Sequence, residues 1–158
     1  LNSIVKLSNS FSSIEFLKPM NHTSKPDKRT GKRYTGWSIK SRYYADLLTE
    51  HNRWYLHKIK QVPEDIRITP LSCYWWFVGD GYRTNYRLLF CTESFNKKSL
   101  ELLVAKLHIV GFTTAYISSN NRIAIHGDDV NTFLHWISCV PIAKQYLYKF
   151  SGKWKTKK

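Results

Sequence analysis

The chain has 158 residues, 42% of them hydrophobic, which is enough for one domain with its own core and excludes a disordered tail. Lys and Arg number 25 against 11 acids, a formal charge of +14 spread over both halves, so the expected partner is a polyanion. Three widely spaced cysteines without a CxxC pair argue against a zinc site and give no disulfide framework. The start shows no signal-peptide pattern, and no apolar run is long enough to span a membrane, which fits a reducing intracellular compartment.

In chain order, residues 1–20 read as a short alternating stretch (Ile4, Val5, Leu7) followed by a helical piece from Phe11 to Leu17 that Pro19 stops. Residues 21–33 read as a turn or hairpin tip carrying Lys25, Lys28, Arg29, Lys32 and Arg33. A solvated loop is the default for such a segment, and a phosphate-contacting loop is the alternative. Tyr34 to Lys40 alternates as a strand does, and Lys40 and Arg42 continue the basic character. Tyr43 to Lys58 has helical spacing through Tyr44, Leu47, Leu48, Trp54 and Tyr55, and residues 60–66 form a linker.

The rest of the chain is organised around the stretch Thr69 to Gly81. Thr69 suits an N-cap and Pro70 the first helical position. Between Leu71 and Val78 only Ser72 breaks the apolar run, the mark of a buried helix. That helix ends in Gly79-Asp80-Gly81. An anion is disfavoured at a helix C-terminus, so a cationic partner is expected beside Asp80: a metal ion or a phosphate-facing site. A core helix followed by an ordinary Asp-Gly turn is the plainer alternative.

Beyond it, Tyr86 to Thr92 reads as a strand, and Ser94 to Val110 as a helix with Leu100, Leu103, Val104 and Leu107 inward and Gly111 at its end. Phe112 to Ser118 and Arg122 to His126 read as a hairpin joined at Asn120-Asn121. Asp128 opens a last helix, Val130 to Cys139, and a Lys-rich tail closes the chain. Cys73 and Cys139 sit in apolar runs and read as buried thiols.

Pro63 to Gly81 resembles the second motif of the LAGLIDADG homing endonucleases, in the branch reading roughly L-T-P-x-S-L-A-x-W-F-M-D-D-G. Asp27-Lys28-Arg29-Thr30-Gly31-Lys32, Thr92-Glu93-Ser94-Phe95 and Tyr148-Lys149-Phe150 resemble further pieces of that family in the same order. The resemblance implies an α+β fold of pseudo-twofold αββαββα units whose curved antiparallel sheets form a nucleic-acid-binding saddle. It implies an incomplete first half over residues 1–62, a second half over 63–150 and a basic tail over 151–158. Asp80 matches the acid that binds a divalent metal at the scissile phosphate, and Lys60 and Lys149 match the basic residues beside such sites. The candidate nucleic-acid contacts are the basic residues Lys25, Lys28, Arg29, Lys32, Arg33, Lys40, Arg42, Arg83, Arg87, Arg122, Lys153 and Lys155.

Two departures shape the expectation. No apolar helix ending in an acid and Gly precedes residue 60, and bulky Tyr74 and Gly79 replace the family's small contact residue and neighbouring acid. The reading favoured from sequence is therefore an RNA-binding derivative that has lost cleavage, in a ribonucleoprotein such as an organellar ribosome or a splicing complex. The alternative is an active Mg²⁺-dependent DNA endonuclease whose missing motif lies upstream or on a second chain. A basic protein-interaction domain is the third reading. The family's habit and the Lys, Asn and Tyr content point to a mitochondrial or chloroplast origin.

Overall fold

The computed structural model describes residues 15–141 and 144–151, and the chain packs as two compact units, 1–48 and 49–158. In the first unit β1 (Met20–Thr23) and β2 (Thr35–Ser38) form an antiparallel hairpin in which Asn21 pairs with Trp37. Leu17 N–H donates to the Lys40 carbonyl at 2.7 Å, and Phe16 bridges Ser41, so the ladder continues below β1. The end of the expected Phe11–Leu17 helix is therefore extended, because it pairs with the return strand. Its beginning, like the stretch around Ile4, lies outside the described residues.

The hairpin tip folds on Asp27, whose carboxylate accepts from the backbone N–H groups of Arg29 and Thr30 and from the Thr30 hydroxyl. Gly31 takes φ +68°, the left-handed conformation that favours glycine.

Helix α1 (Ala45–Trp54) starts in the first unit and ends in the second. It is shorter than the periodicity implies, because residues 55–60 form a tight hairpin of β3 (Tyr55–Leu56) and β4 (Ile59–Lys60). His57 and Lys58 hold positive φ at its turn, without the Gly or Asn that would have marked it. Residues 61–69 then run along the second unit. The Val62 N–H donates to Ser99 Oγ at 2.8 Å, and Lys98 pairs with Glu64 at 2.9 Å.

From there the order is αββαββα: α2 (Pro70–Asp80), β5 (Gly81–Arg83), β6 (Arg87–Phe90), α3 (Lys97–Ile109), β7 (Tyr116–Ile117), β8 (Ile123–His126) and α4 (Asp129–Ile137). A 3-10 turn (Lys144–Tyr146) and α5 (Leu147–Phe150) follow. The ββαββ run of β1, β2, α1, β3 and β4 precedes it, so the chain is α+β with antiparallel sheets, as the resemblance implies.

Beside the β3–β4 hairpin, the second unit holds a four-stranded sheet in the order β5-β6-β8-β7, all antiparallel. Phe77 ties α2 to the sheet and to α4, its ring meeting Phe90 and Phe133 edge-on at 6.1 and 6.4 Å. Leu88, Phe90, Ile123 and Ile125 from the sheet, Leu100 and Leu107 from α3 and Ile137 from α4 complete a fully buried core. Among the described residues no helix is long and apolar enough to cross a membrane.

Several expectations need correction. Strand β5 goes unmarked in sequence because it is short and begins with glycine. Residues 112–115 are not extended, with a turn at 113–114, so β7 is only Tyr116–Ile117. Cys73 is buried, and desolvation pushes its thiol up to about 12, but Cys139 is exposed because α4 has already ended at Ile137. Tyr74 is turned inward, 1% exposed, with its ring 6.2 Å from that of Phe150. The open side of α2 instead carries Leu71, Trp75 and Gly79.

Candidate nucleic-acid interface and the acid-tipped helix

Helix α2 starts with a reciprocal cap. Thr69 Oγ1 accepts from the Ser72 N–H at 3.1 Å, and Ser72 Oγ accepts from the Thr69 N–H at 2.9 Å. That pairing accounts for the one polar residue in the apolar run. At the other end Asp80 is the last helical residue and is exposed, while its carbonyl accepts from the Cys91 N–H at 3.0 Å.

The sequence points to a metal ion or a phosphate-facing site beside Asp80; the cation that the structure places in its neighbourhood is Lys149, on α5. Its Nζ donates to the carbonyls of Val78 and Gly81 at 2.7 Å each and of Phe77 at 3.2 Å. The Val78 carbonyl is one that a helix C-terminus leaves unpartnered, whereas the Phe77 carbonyl also accepts from the Gly81 N–H and Gly81 already belongs to β5. Burial holds the Lys149 ammonium below its ordinary pKa, while the Asp80 carboxylate and the Cys91 thiol act in the opposite sense. Asp80 and Lys149 thus share one electrostatic neighbourhood. Lys60 has a different partner: its Nζ sits 4.3 Å from the centre of the Phe95 ring.

Paired residues of neighbouring strands share a sheet face. Leu88 pairs with Arg83 and Ile125, and Leu88 and Ile125 belong to the core, so Arg83 lies on the helix side. There its Nη2 donates to Asn131 Oδ1 of α4 at 3.4 Å. The opposite face carries the paired rows Tyr82, Leu89, Ala124 and Tyr116, with Arg87 beside His126. On it Arg87 Nη1 donates to the Tyr116 hydroxyl at 3.1 Å, and Arg122 Nη1 to the Tyr82 hydroxyl at 2.8 Å. Arg122 also pairs with Glu93. These bonds raise both guanidinium pKa values, the Tyr116 hydroxyl acting first on Arg87 and Glu93 on Arg122. The outer face is thus basic and aromatic, with two arginines braced by phenols.

Of the other residues singled out in sequence, Lys25, Lys28, Arg29, Lys32 and Arg33 are exposed at the tip of the first hairpin, and Lys40 is exposed at its base. Arg42 is paired with Glu15 at 2.6 Å. Lys153 and Lys155 lie outside the described residues. Sequence reasoning passed over Tyr82, Tyr116, His126 and Glu93. For Tyr82 and Tyr116 the available signal was their alternation with residues of the core face.

An αββαββα unit whose first helix ends in Asp80-Gly81 is a LAGLIDADG arrangement. The model of the LAGLIDADG DNA endonuclease family matches residues 7–133, and the chain belongs to that family. A solved structure described as the homing endonuclease I-WcaI bound to its DNA recognition sequence is similar in fold, with a TM-score of 0.74 at 18% sequence identity. The match covers 97% of this chain and 71% of that one. No curated protein sequence matches the chain.

Proposed function

We propose that the chain binds duplex DNA through the outer face of the four-stranded sheet, with Asp80 directed at the backbone of one strand. The observation that carries this is the Asp80 carboxylate, exposed at the tip of a helix whose Cys73, Tyr74, Phe77 and Val78 are buried and whose end is anchored by Lys149. Membership of a DNA endonuclease family, and a structural relative bound to DNA, favour duplex DNA over RNA as the partner.

Mg²⁺ fits this donor set. Among the described residues no three His, Cys, Asp or Glu side chains converge, and the carboxylate this reading offers a divalent ion is Asp80. Mg²⁺ is commonly held by one or two carboxylates with water and phosphate oxygens completing its shell. Bound there, it would supply charge stabilisation at a scissile phosphate. Lys149 positions the acid rather than reacting, since its ammonium is spent on backbone carbonyls. A single carboxylate serves a single strand, so a double-strand cut needs a second acid from an upstream segment or another chain.

The test selects a bound duplex from a randomised library, then incubates it with Mg²⁺ and either the wild-type chain or Asp80→Asn. The expected outcome is strand scission by the wild type alone, with binding retained in both. Identical products from the two proteins would reject the catalytic role of Asp80.

One observation favours a second reading, a cleavage-inactive RNA-binding derivative in a ribonucleoprotein. Gly79 stands where the resemblance places a neighbouring acid, leaving Asp80 without it. Competition between structured RNA and duplex DNA separates the readings, because that derivative predicts RNA displacing DNA. An organellar location goes with either reading and is checked by imaging the tagged full-length gene product.

A further inference from the structure

At one end of the four-stranded sheet the β5–β6 turn borders an open hollow of about 370 Å³, lined by Arg83, Asn85, Tyr86, Arg87, His126 and Asn131 among others. Arg83 and Arg87, at the two ends of one tight turn, both line it. Each is oriented by a single neutral bond, Arg83 to Asn131 and Arg87 to Tyr116. Among the described residues neither has a carboxylate within 4.0 Å, whereas Arg42, Arg53 and Arg122 each do. The nearby acids do not fill this role. The Asp129 carboxylate turns away to the backbone N–H and hydroxyl of Thr114, at 2.9 and 2.8 Å, and Asp128 is not among the lining residues.

Two arginines, a histidine and two asparagines lining one hollow, with the Arg83 guanidinium held on Asn131 within it, make a donor-rich site for a tetrahedral oxyanion. Tyr86, on the same turn, is 81% exposed, and its ring offers an apolar surface at the rim. We propose that this hollow receives a backbone phosphate of the bound nucleic acid, with the Tyr86 ring packing on the adjoining sugar. The inference rests on the nucleic-acid reading above but adds a distinct contact, because Arg83 lies on the helix side of the sheet rather than on its outer face.

The test measures binding of a fluorescent duplex by wild type, Arg83→Gln and Tyr86→Ala from about 50 to about 200 mM salt, on a selected and a scrambled sequence. A phosphate contact predicts that Arg83→Gln flattens the slope of log K against log salt by about 0.9. It also predicts an affinity loss of roughly fivefold near physiological salt, equal on both sequences. A methylphosphonate substituted at the contacted position should weaken the wild type but leave Arg83→Gln unchanged. Tyr86→Ala, at an exposed position, keeps the test open should Arg83→Gln fold poorly, and it should weaken both duplexes equally. A wild type that binds while both variants keep its slope and affinity would overturn the hollow and leave the nucleic-acid reading intact. A wild type that binds no duplex would overturn both.

Discussion

Lys149 Nζ lies 2.7 Å from the carbonyl oxygen of Gly81, the residue immediately after the acid at the tip of α2. The same ammonium reaches two further carbonyls of that helix end. Lys149→Met keeps most of the side-chain volume and removes the donor. It should cost about 1–3 kcal/mol in denaturant unfolding, the usual penalty for stranding partly buried acceptors. Lys149→Arg should recover part of the loss. A Lys149→Met protein as stable as wild type would show that solvent replaces these bonds without cost.

Lys149 carries a pH dependence whose sign can be worked out. Burial lowers the folded-state pKa of Lys149 below its ordinary 10.5, and Asp80 opposes that shift. The unfolded chain therefore holds this proton more tightly, and the contribution of Lys149 to stability rises as pH climbs from the folded-state pKa towards the unfolded value. Removing the opposing charge with Asp80→Asn should move the Lys149 titration further down. Carbon-detected NMR of its Cε resonance reads the shift, and an upward or absent movement would contradict the influence of Asp80 on Lys149.

Gly81 is required for space rather than for its dihedral angles. Its backbone is extended, with φ −93° and ψ 154°, which any residue adopts. A Cβ built there would lie 2.7 Å from the Phe77 carbonyl oxygen and 2.8 Å from the Phe77 Cα, atoms of the helix backbone that cannot swing aside. Gly81→Ala should cost about 1–3 kcal/mol by overpacking. Gly79→Ala, where a Cβ would meet nothing within 4 Å, should be close to neutral. Thermal unfolding of the two variants side by side makes the comparison, and equal losses would refute it.

Local chemistry announced α2 fully. Thr69, Pro70 and Ser72 mark its start, and Asp80-Gly81 its end. The leucine stripe likewise announced α3, where Leu100, Leu103 and Leu107 are buried. A helix apolar on every side carries no facing information, however, so neighbouring aromatics could not be sorted by pattern. Tyr74 went inward and Trp75 outward because Phe150 and Phe77 packed on one side only, a tertiary fact. The β3–β4 turn was illegible for a different reason. His57 and Lys58 adopt the left-handed conformation without the side chains that usually advertise it. At the site, Asp80 was readable from its motif, and Lys149 was readable as a position. The carbonyls that occupy Lys149 are contacts across some seventy residues of chain, which no local pattern encodes.

Thr92 opens the Thr92-Glu93-Ser94-Phe95 motif and is fully buried. Its hydroxyl donates to the Asn121 carbonyl at 2.8 Å and accepts from the Ile123 N–H at 3.1 Å, fastening the end of β6 to the β7–β8 turn. Thr92→Val preserves the shape but leaves a backbone donor and acceptor without that partner, at a cost of about 1–3 kcal/mol. Thr92→Ser should retain most of the stability, losing only the methyl group. If Val and Ser behaved alike in denaturant unfolding, the hydroxyl bridge would have no energetic role.

Glu93 competes with phosphate for Arg122. The two side chains are paired on the nucleic-acid-facing side proposed for the sheet, and Glu93 is held below its ordinary carboxylate pKa, first by its own backbone N–H and then by Arg122. Binding a phosphate at Arg122 means breaking or sharing that pair and bringing a carboxylate close to a polyanion. Glu93→Gln removes the repulsion and frees one cation. It should tighten duplex binding and steepen the salt dependence by about one counterion, without changing which sequence is preferred. Arg122→Gln should do the opposite through loss of the cation itself. If Glu93→Gln weakened binding instead, the ion pair would be what holds Arg122 in its binding position, and Glu93 would be a support for the contact rather than its competitor.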